Sequence, residues 1–268
     1  MAKYGFIGAG NMGGALACAL AKNIDGSEIL INDSIKEKAE QLAESLCASY
    51  ARITEVAEFC DFIFIAVKPQ VMFDMFSQIS EVLKNRKDRF VLITMAAGMT
   101  IETVKQAAGG DYPVIRIMPN LPALVGEGMI LYTSDKSVTA DDINAFTSDM
   151  KAAGRFDSIG EHLIDAASAV SGCGPAFVYM FADALADGAV SCGLPRDKAL
   201  LYAYQTIKGA AEMLLETGKH PDELKDAVCS PGGSTIQGVL ALEKNGFRAA
   251  TSQAVEASYI RTKELGKK

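Results

Sequence analysis

The chain has 268 residues, 49% of them hydrophobic and 22% charged, with 24 Gly and 8 Pro; this is an ordinary globular composition, enough for one large domain or two modest ones. Its formal charge of -7, from 26 basic and 33 acidic side chains, gives no electrostatic footprint for a nucleic acid. No uninterrupted apolar run reaches the ~18 residues of a membrane span, so no transmembrane helix and no membrane partner are expected.

From Lys3 to about residue 135, short apolar runs alternate with stretches of helical spacing, the pattern of βαβ units around a parallel sheet. Strands are predicted at residues 4–8, 28–32, 62–67, 90–94 and 114–118, each short, rich in β-branched or aromatic residues and bounded by Gly, Pro or charge. Helices are predicted between them at 12–22, 35–47 and 71–84. After Glu161 the strand pattern stops. Helical segments follow at 176–191, 196–216, 222–228, 234–244 and 248–265, punctuated by Gly193-Leu194-Pro195 and by Gly218-Lys219-His220-Pro221. The expected fold is therefore an α/β Rossmann domain, doubly wound and mainly parallel, over residues 1–160. An all-α domain follows over 161–268, whose Ala- and Gly-rich helices suit close packing within or between subunits.

The six cysteines form no C-x-x-C pair, and His162 and His220 are the sole histidines. Neither a disulfide framework, a metal site nor a histidine triad is expected, and reduced thiols fit the cytoplasm. Lys3 followed by the apolar residues 15–20 imitates a secretory signal. The glycines explain that stretch differently.

Gly8-Ala9-Gly10-Asn11-Met12-Gly13 is a G-x-G-x-x-G run between the strand ending near Ile7 and a helix. Gly8 would permit the tight turn, Gly10 the approach of a pyrophosphate, and Gly13 close packing of helix on strand. The N–H groups of Asn11 and Met12 would then face phosphate. A strand-to-helix turn without ligand is the alternative. Twenty residues beyond Gly13, Asp33 ends the second strand, where an acidic side chain accepts hydrogen bonds from an adenosine ribose and favours NAD(H). Asn32 and Ser34 are polar neighbours, while Lys36 and Lys38 lie near enough in sequence to meet the 2′-phosphate of NADP(H); an exposed polar turn explains all of them equally. Ala66-Val67-Lys68-Pro69 and Ala96-Ala97-Gly98 also follow strand ends, where doubly wound folds bind ligands, although Pro69 also fits a plain helix start.

Two loops suit a substrate. Asn120 sits in the proline-restricted Met118-Pro119-Asn120-Leu121-Pro122, and Ser230-Pro231-Gly232-Gly233-Ser234-Thr235 opens a helix with free hydroxyls and unpaired N–H groups, an arrangement suited to a carboxylate. Plain capping by Ser234 or Thr235 is the alternative.

These segments, with Val125-Gly126-Glu127-Gly128, Ser171-Gly172-Cys173-Gly174-Pro175-Ala176, Leu242-Glu243 and Gly246-Phe247-Arg248, resemble the pyrroline-5-carboxylate reductase family nearly end to end. The resemblance implies reduction of 1-pyrroline-5-carboxylate to L-proline, the last step of proline synthesis. It implies NADP(H) first, with NAD(H) as the other candidate, and a homodimer or ring of dimers formed through the helical domain. It further implies that Thr235 hydrogen-bonds the imine nitrogen as the catalytic group. Ser230, Gly232, Gly233 and Ser234 would hold the carboxylate, with Asn120 and Glu161 as further substrate-side groups. The sequence departs from the family's pattern at Asp33, where Arg, Ser or Thr is common, and at Cys173 and Phe177, which replace a common Ser and Tyr. A hydroxyacid dehydrogenase is the nearest competing enzyme, but relatives of that kind resemble G-x-G-x-x-x-K where Gly172 to Val178 has no lysine. A catalytically silent nucleotide sensor is the competitor from another class. The scarcity of histidine suits an imine, which already accepts hydride and needs no strong general base.

Overall fold

The computed structural model describes residues 3–265; the outer ends of both expected domains, residues 1 and 268, lie outside them. Eight strands form one sheet: β1 (Tyr4–Ile7), β2 (Ile29–Asn32), β3 (Ser49–Tyr50), β4 (Phe62–Ile65), β5 (Val91–Thr94), β6 (Val114–Met118), β7 (Gly128–Ser134) and β8 (Gly154–Ser158). Their order is β3-β2-β1-β4-β5-β6-β7-β8. The pairs from β3 to β6 are parallel, β7 is antiparallel to β6, and β8 is parallel to β7. The first six strands thus follow the doubly wound order 3-2-1-4-5-6.

Alternation along the strands sends side chains to two separate cores. Tyr4, Phe6, Phe64 and Ile93 pack beneath α1 (Asn11–Leu20) and α2 (Lys36–Ser45) on one face, while Ile7, Ile63, Ile65 and Leu92 pack on the other. The second face is covered by α3 (Ile53–Phe59), α4 (Met72–Ser77), α5 (Ser80–Asn85) and α6 (Ile101–Ala108). Phe6 and Phe64 stack with ring centroids 4.3 Å apart, and each fully buried ring stabilises the unit by roughly 1.5–3 kcal/mol. Then α7 (Ala140–Asp149) returns Phe146 to the first core.

Three strands and three helices of this region have no counterpart among the predicted elements: β3, β7, β8, α3, α6 and α7. The helix predicted at 71–84 is divided into α4 and α5. The break has a local cause, since Ser77 Oγ and Gln78 Nε2 both donate to the Asp74 carbonyl, at 2.7 and 3.3 Å, competing with helical backbone bonding. At the β7–β8 edge, Gly154 (φ 133°) opposes Gly128, whose carbonyl oxygen would lie 2.1 Å from a Cβ on Gly154.

The chain divides into two compact units. One runs through Gly172, taking in α8 (Ile164–Ser171), and regains the chain from Ser258; the other is Cys173–Ala257. The second unit comprises α9 (Gly174–Ser191), α10 (Arg196–Thr217), α11 (Pro221–Ala227), α12 (Ser234–Lys244) and most of α13 (Phe247–Leu265). Among its described residues only Ala182, Ala186, Ala199 and Ala203 are buried. The small side chains let α9 and α10 approach closely, leaving large ones such as Tyr179 and Met180 in α9 and Tyr202 and Leu215 in α10 exposed.

That composition also escapes a search for uninterrupted apolar runs. Among the described residues, the stretch Glu161–Ser191 is long and apolar enough to cross a membrane by length and composition alone, and most of it is not buried. Scattered Gly, Ser and Asp interrupt the apolar residues without lowering their average enough, so counting uninterrupted runs passed over it. An apolar helix face covered by protein meets the same criterion.

Candidate functional site

Strand register builds the first part of the site. Ile7 pairs with Asn32 and with Ile65, Ile65 with Thr94, and Thr94 with Arg116. The glycine loop, Asp33, the Ala66–Pro69 segment and the Ala96–Ala97 turn therefore leave the sheet along one carboxyl edge, where doubly wound sheets bind ligands.

Each glycine of the loop has its own reason. Gly8 has φ 114°, and a Cβ there would lie 2.5 Å from the Ala66 carbonyl oxygen; one on Gly13 would lie 2.2 Å from the Gly8 oxygen. Gly10 is different: a Cβ there meets no atom within 4 Å. It also occupies the N-cap of α1 without a side-chain cap, so the N–H groups of Asn11 and Met12 face open space at a helix N-terminus. Gly13→Ala is expected to cost ~1–3 kcal/mol through overpacking and to weaken dinucleotide binding. Gly14→Ala, whose Cβ would lie 3.8 Å from its nearest neighbour Leu42, is expected to change neither by much. Urea unfolding and a binding titration check both variants.

Asp33 ties the turn together: its Oδ2 accepts from Ala9 N–H at 2.7 Å and its Oδ1 from Ile35 N–H at 2.9 Å. Asn32 is buried and donates its amide to the Ala51 carbonyl at 2.9 Å, linking β2 to the chain after β3. A pocket of ≈ 350 Å³ gathers Ile7, Gly8, Asn32, Asp33, Ser34 and Val67, with Asp74 and Gln78 also on its walls. Ala66 and Pro69 are half-buried, Lys68 is exposed, and Ala97 is exposed beside buried Ala96. The Ala96 N–H donates to Thr94 Oγ1 at 3.3 Å.

At the next strand lies a group that the predicted site lacks. Arg116, 2% exposed, extends Nη2 to Asp165 Oδ1 at 3.0 Å and Nη1 to Glu161 Oε1 at 3.4 Å. Glu161 Oε1 also accepts the Ile101 N–H at 2.7 Å, at the start of α6. The Arg116 Nε is buried with no hydrogen-bond partner among the described residues. Asn120 donates Nδ2 to the Ser171 carbonyl at 2.8 Å and accepts the Met129 N–H at 2.9 Å. Arg116, Glu161 and Asn120 thereby fasten α6, β7 and α8 to the end of β6. The sequence signal for Arg116 was a charge inside the apolar strand Val114–Met118, which must find partners.

The remaining predicted residues lie in the second unit. Gly233 N–H donates to the Ser230 carbonyl at 3.0 Å, and Gly232 has φ 68°. Pro231 and Gly232 thus take the two central positions of a type II turn, which favours Pro and then Gly. The turn delivers Ser234 and Thr235 as the first residues of α12. Both are exposed, and neither hydroxyl has a partner among the described residues. Arg248 binds Asp222 at 3.0 Å and Glu243 at 2.6 Å, joining α11, the far end of α12 and α13. Hydrogen bonds from Lys225 and Arg248 hold the Asp222 carboxyl down at about 2.

Comparison with known proteins places this arrangement in a family. Residues 161–265 match the model "Pyrroline-5-carboxylate reductase dimerisation" and residues 3–98 match "NADP oxidoreductase coenzyme F420-dependent". The chain is 40% identical to the pyrroline-5-carboxylate reductase of Escherichia coli over 268 residues, 99% of this chain and 98% of that one. Among solved structures, the Plasmodium falciparum pyrroline carboxylate reductase with NADP bound superposes with a TM-score of 0.87 at 34% identity, covering 99% of this chain and 98% of the other. The Coxiella burnetii pyrroline-5-carboxylate reductase gives a TM-score of 0.90 at 30% identity, with 98% of each chain covered. With that identity sustained over its whole length, the chain belongs to the pyrroline-5-carboxylate reductase family.

Proposed function

We propose that the protein reduces 1-pyrroline-5-carboxylate to L-proline with NAD(P)H, the final step of L-proline biosynthesis. The observation that carries this reading is the free, exposed Ser234–Thr235 hydroxyl pair behind the Ser-Pro-Gly-Gly turn, in a chain similar to reductases of that name over its full length. Residues 1–160 serve as the coenzyme half, and residues 161–268 as the substrate and association half.

The residues at the carboxyl edge suit a dinucleotide. The uncapped start of α1 and the open space at Gly10 fit a pyrophosphate, with the Ala66–Pro69 segment and Ala96–Ala97 as flanking walls. NADP is the coenzyme held by the Plasmodium relative, and NADP(H) is accordingly the first coenzyme to test. When bound, the nicotinamide supplies the hydride. On the substrate side, the N–H groups at the start of α12 and the Ser234 hydroxyl hold the carboxylate, with Ser230, Gly232 and Gly233 shaping the turn. A carboxylate at a helix N-terminus gains ~0.3–2 kcal/mol. Thr235 donates a hydrogen bond to the imine nitrogen and relays its proton. Glu161 and Asn120, held in the first unit by Arg116, the Ile101 N–H and the Ser171 carbonyl, are further substrate-side groups.

The exposed apolar faces of α9 and α10 support a homodimer or a ring of dimers, as does the match to a dimerisation model. All six cysteines are free, in keeping with the cytoplasm. The enzyme assay follows coenzyme oxidation and proline formation with the imino acid; coenzyme binding without turnover would favour a nucleotide sensor instead. Light scattering of the purified protein checks the assembly, and a monomer at micromolar concentration would contradict it.

A further inference from the structure

The pocket beside Gly8 has a charge asymmetry. Its walls carry two carboxylates, Asp33 and Asp74, together with the neutral polar groups of Asn32, Ser34 and Gln78, and no lysine or arginine. Asp33 is held in place by the Ala9 N–H on Oδ2 at 2.7 Å and, on Oδ1, by the Ile35 N–H at 2.9 Å and the Ser34 hydroxyl at 3.4 Å. A carboxylate has about four acceptor positions, so the pair of oxygens keeps capacity for a hydroxyl donor. The basic side chains nearest in sequence are engaged elsewhere: Lys36 Nζ lies 3.1 Å from Glu40 and Arg52 Nη2 2.9 Å from Glu55. Lys38 and Lys68 are exposed and do not line the pocket.

We propose that this pocket selects the coenzyme whose adenosine ribose carries a free 2′-hydroxyl, NADH over NADPH, and that Asp33 and Asp74 are the specificity-determining residues. The inference rests on the reading of the carboxyl edge as a nicotinamide-coenzyme site and adds which coenzyme that site prefers, contrary to the one held by the Plasmodium relative. A 2′-hydroxyl donates to Asp33. A 2′-phosphate brings close to two negative charges into a pocket already walled by two carboxylates, with no cation to receive them. Specificity here is chiefly repulsion of the wrong ligand. Like-charge repulsion within one pocket corresponds to a preference of about 10- to 100-fold in Kd.

Calorimetric titration of the full-length protein with NADH, NADPH, 5′-AMP and adenosine 2′,5′-bisphosphate tests this without requiring turnover. NADH and 5′-AMP are expected to bind about 10- to 100-fold tighter than their 2′-phosphorylated counterparts. Asp74→Asn, which leaves the Asp33 contacts to the glycine loop untouched, is expected to raise affinity for adenosine 2′,5′-bisphosphate by about 3- to 10-fold and to change that for 5′-AMP by less than about twofold. Asp33→Ser is expected to narrow the preference further. Equal or tighter binding of the 2′-phosphorylated ligands, or an affinity for them that responds to neither substitution, overturns the proposal. Absence of imino-acid reduction alongside an intact preference would count against the proposed reaction alone. Turnover without the preference would count against this inference alone.

Discussion

Thr235→Val is expected to lower kcat by roughly 10²-fold, the scale of a lost proton-transfer group, while leaving coenzyme affinity within about twofold. Valine keeps the β-branched shape and removes the donor. Thr235 lies in the first turn of α12 and is exposed, with no partner for its hydroxyl among the described residues, so the substitution breaks no bond there and thermal stability should hold. A threonine that merely capped α12 would behave oppositely, with lower stability and normal turnover. Thr235→Ser keeps a hydroxyl and is expected to recover most of the rate. Steady-state kinetics with the imino acid, together with a melting curve for each variant, decide between the two roles.

The second large effect is expected at Arg116. Its side chain is 3% exposed and faces Glu161 and Asp165, themselves 34% and 27% exposed. Arg116→Met removes the cation and leaves two carboxylates together where it stood. Breaking a fully buried pair costs ~3–5 kcal/mol; partial exposure of the acids to water reduces the expectation to ~2–3 kcal/mol. Urea unfolding at fixed protein concentration measures it. Because the two carboxylates are the cause, Arg116→Met combined with Glu161→Gln and Asp165→Asn should regain part of the loss. A triple variant no more stable than the single one would show that packing, not charge, dominates.

Much of the fold was legible in the sequence because the sheet's centre is buried on both faces. Strand β6 begins and ends where its apolar run does, and β1, β2, β4 and β5 differ from the predicted ranges by one or two residues. The elements without a prediction are those with weak or divided signals. Strand β3 has two residues, and β8 reads Gly-Arg-Phe-Asp-Ser at a sheet edge, polar enough to pass as a loop. Helix α6 did carry end signals, a Thr100 cap and a left-handed Gly109, and β7 a run from Met129 to Thr133.

The site was legible where it depends on local backbone. Gly8, Gly13 and the Ser230–Gly233 turn follow from steric rules applied over a few residues. Asp74 and Gln78 had no such signal, since only the packing of α4 against the sheet brings them to the Gly8 pocket, from nearly seventy residues along the chain. The engagement of Asn32, Asn120 and Glu161 in long-range hydrogen bonds was likewise invisible, because a polar residue in a loop reads the same whether it meets substrate or a backbone group.

Hydride delivery to a cyclic imine is followed by isotope transfer. The enzyme is incubated with 1-pyrroline-5-carboxylate and coenzyme deuterated at the transferring position of its nicotinamide, and the product is analysed by mass spectrometry. The expected result is L-proline carrying one deuterium on the ring carbon next to nitrogen, formed in equal amount to the coenzyme oxidised. Unlabelled proline, or coenzyme left unoxidised in the presence of the imino acid, would contradict it.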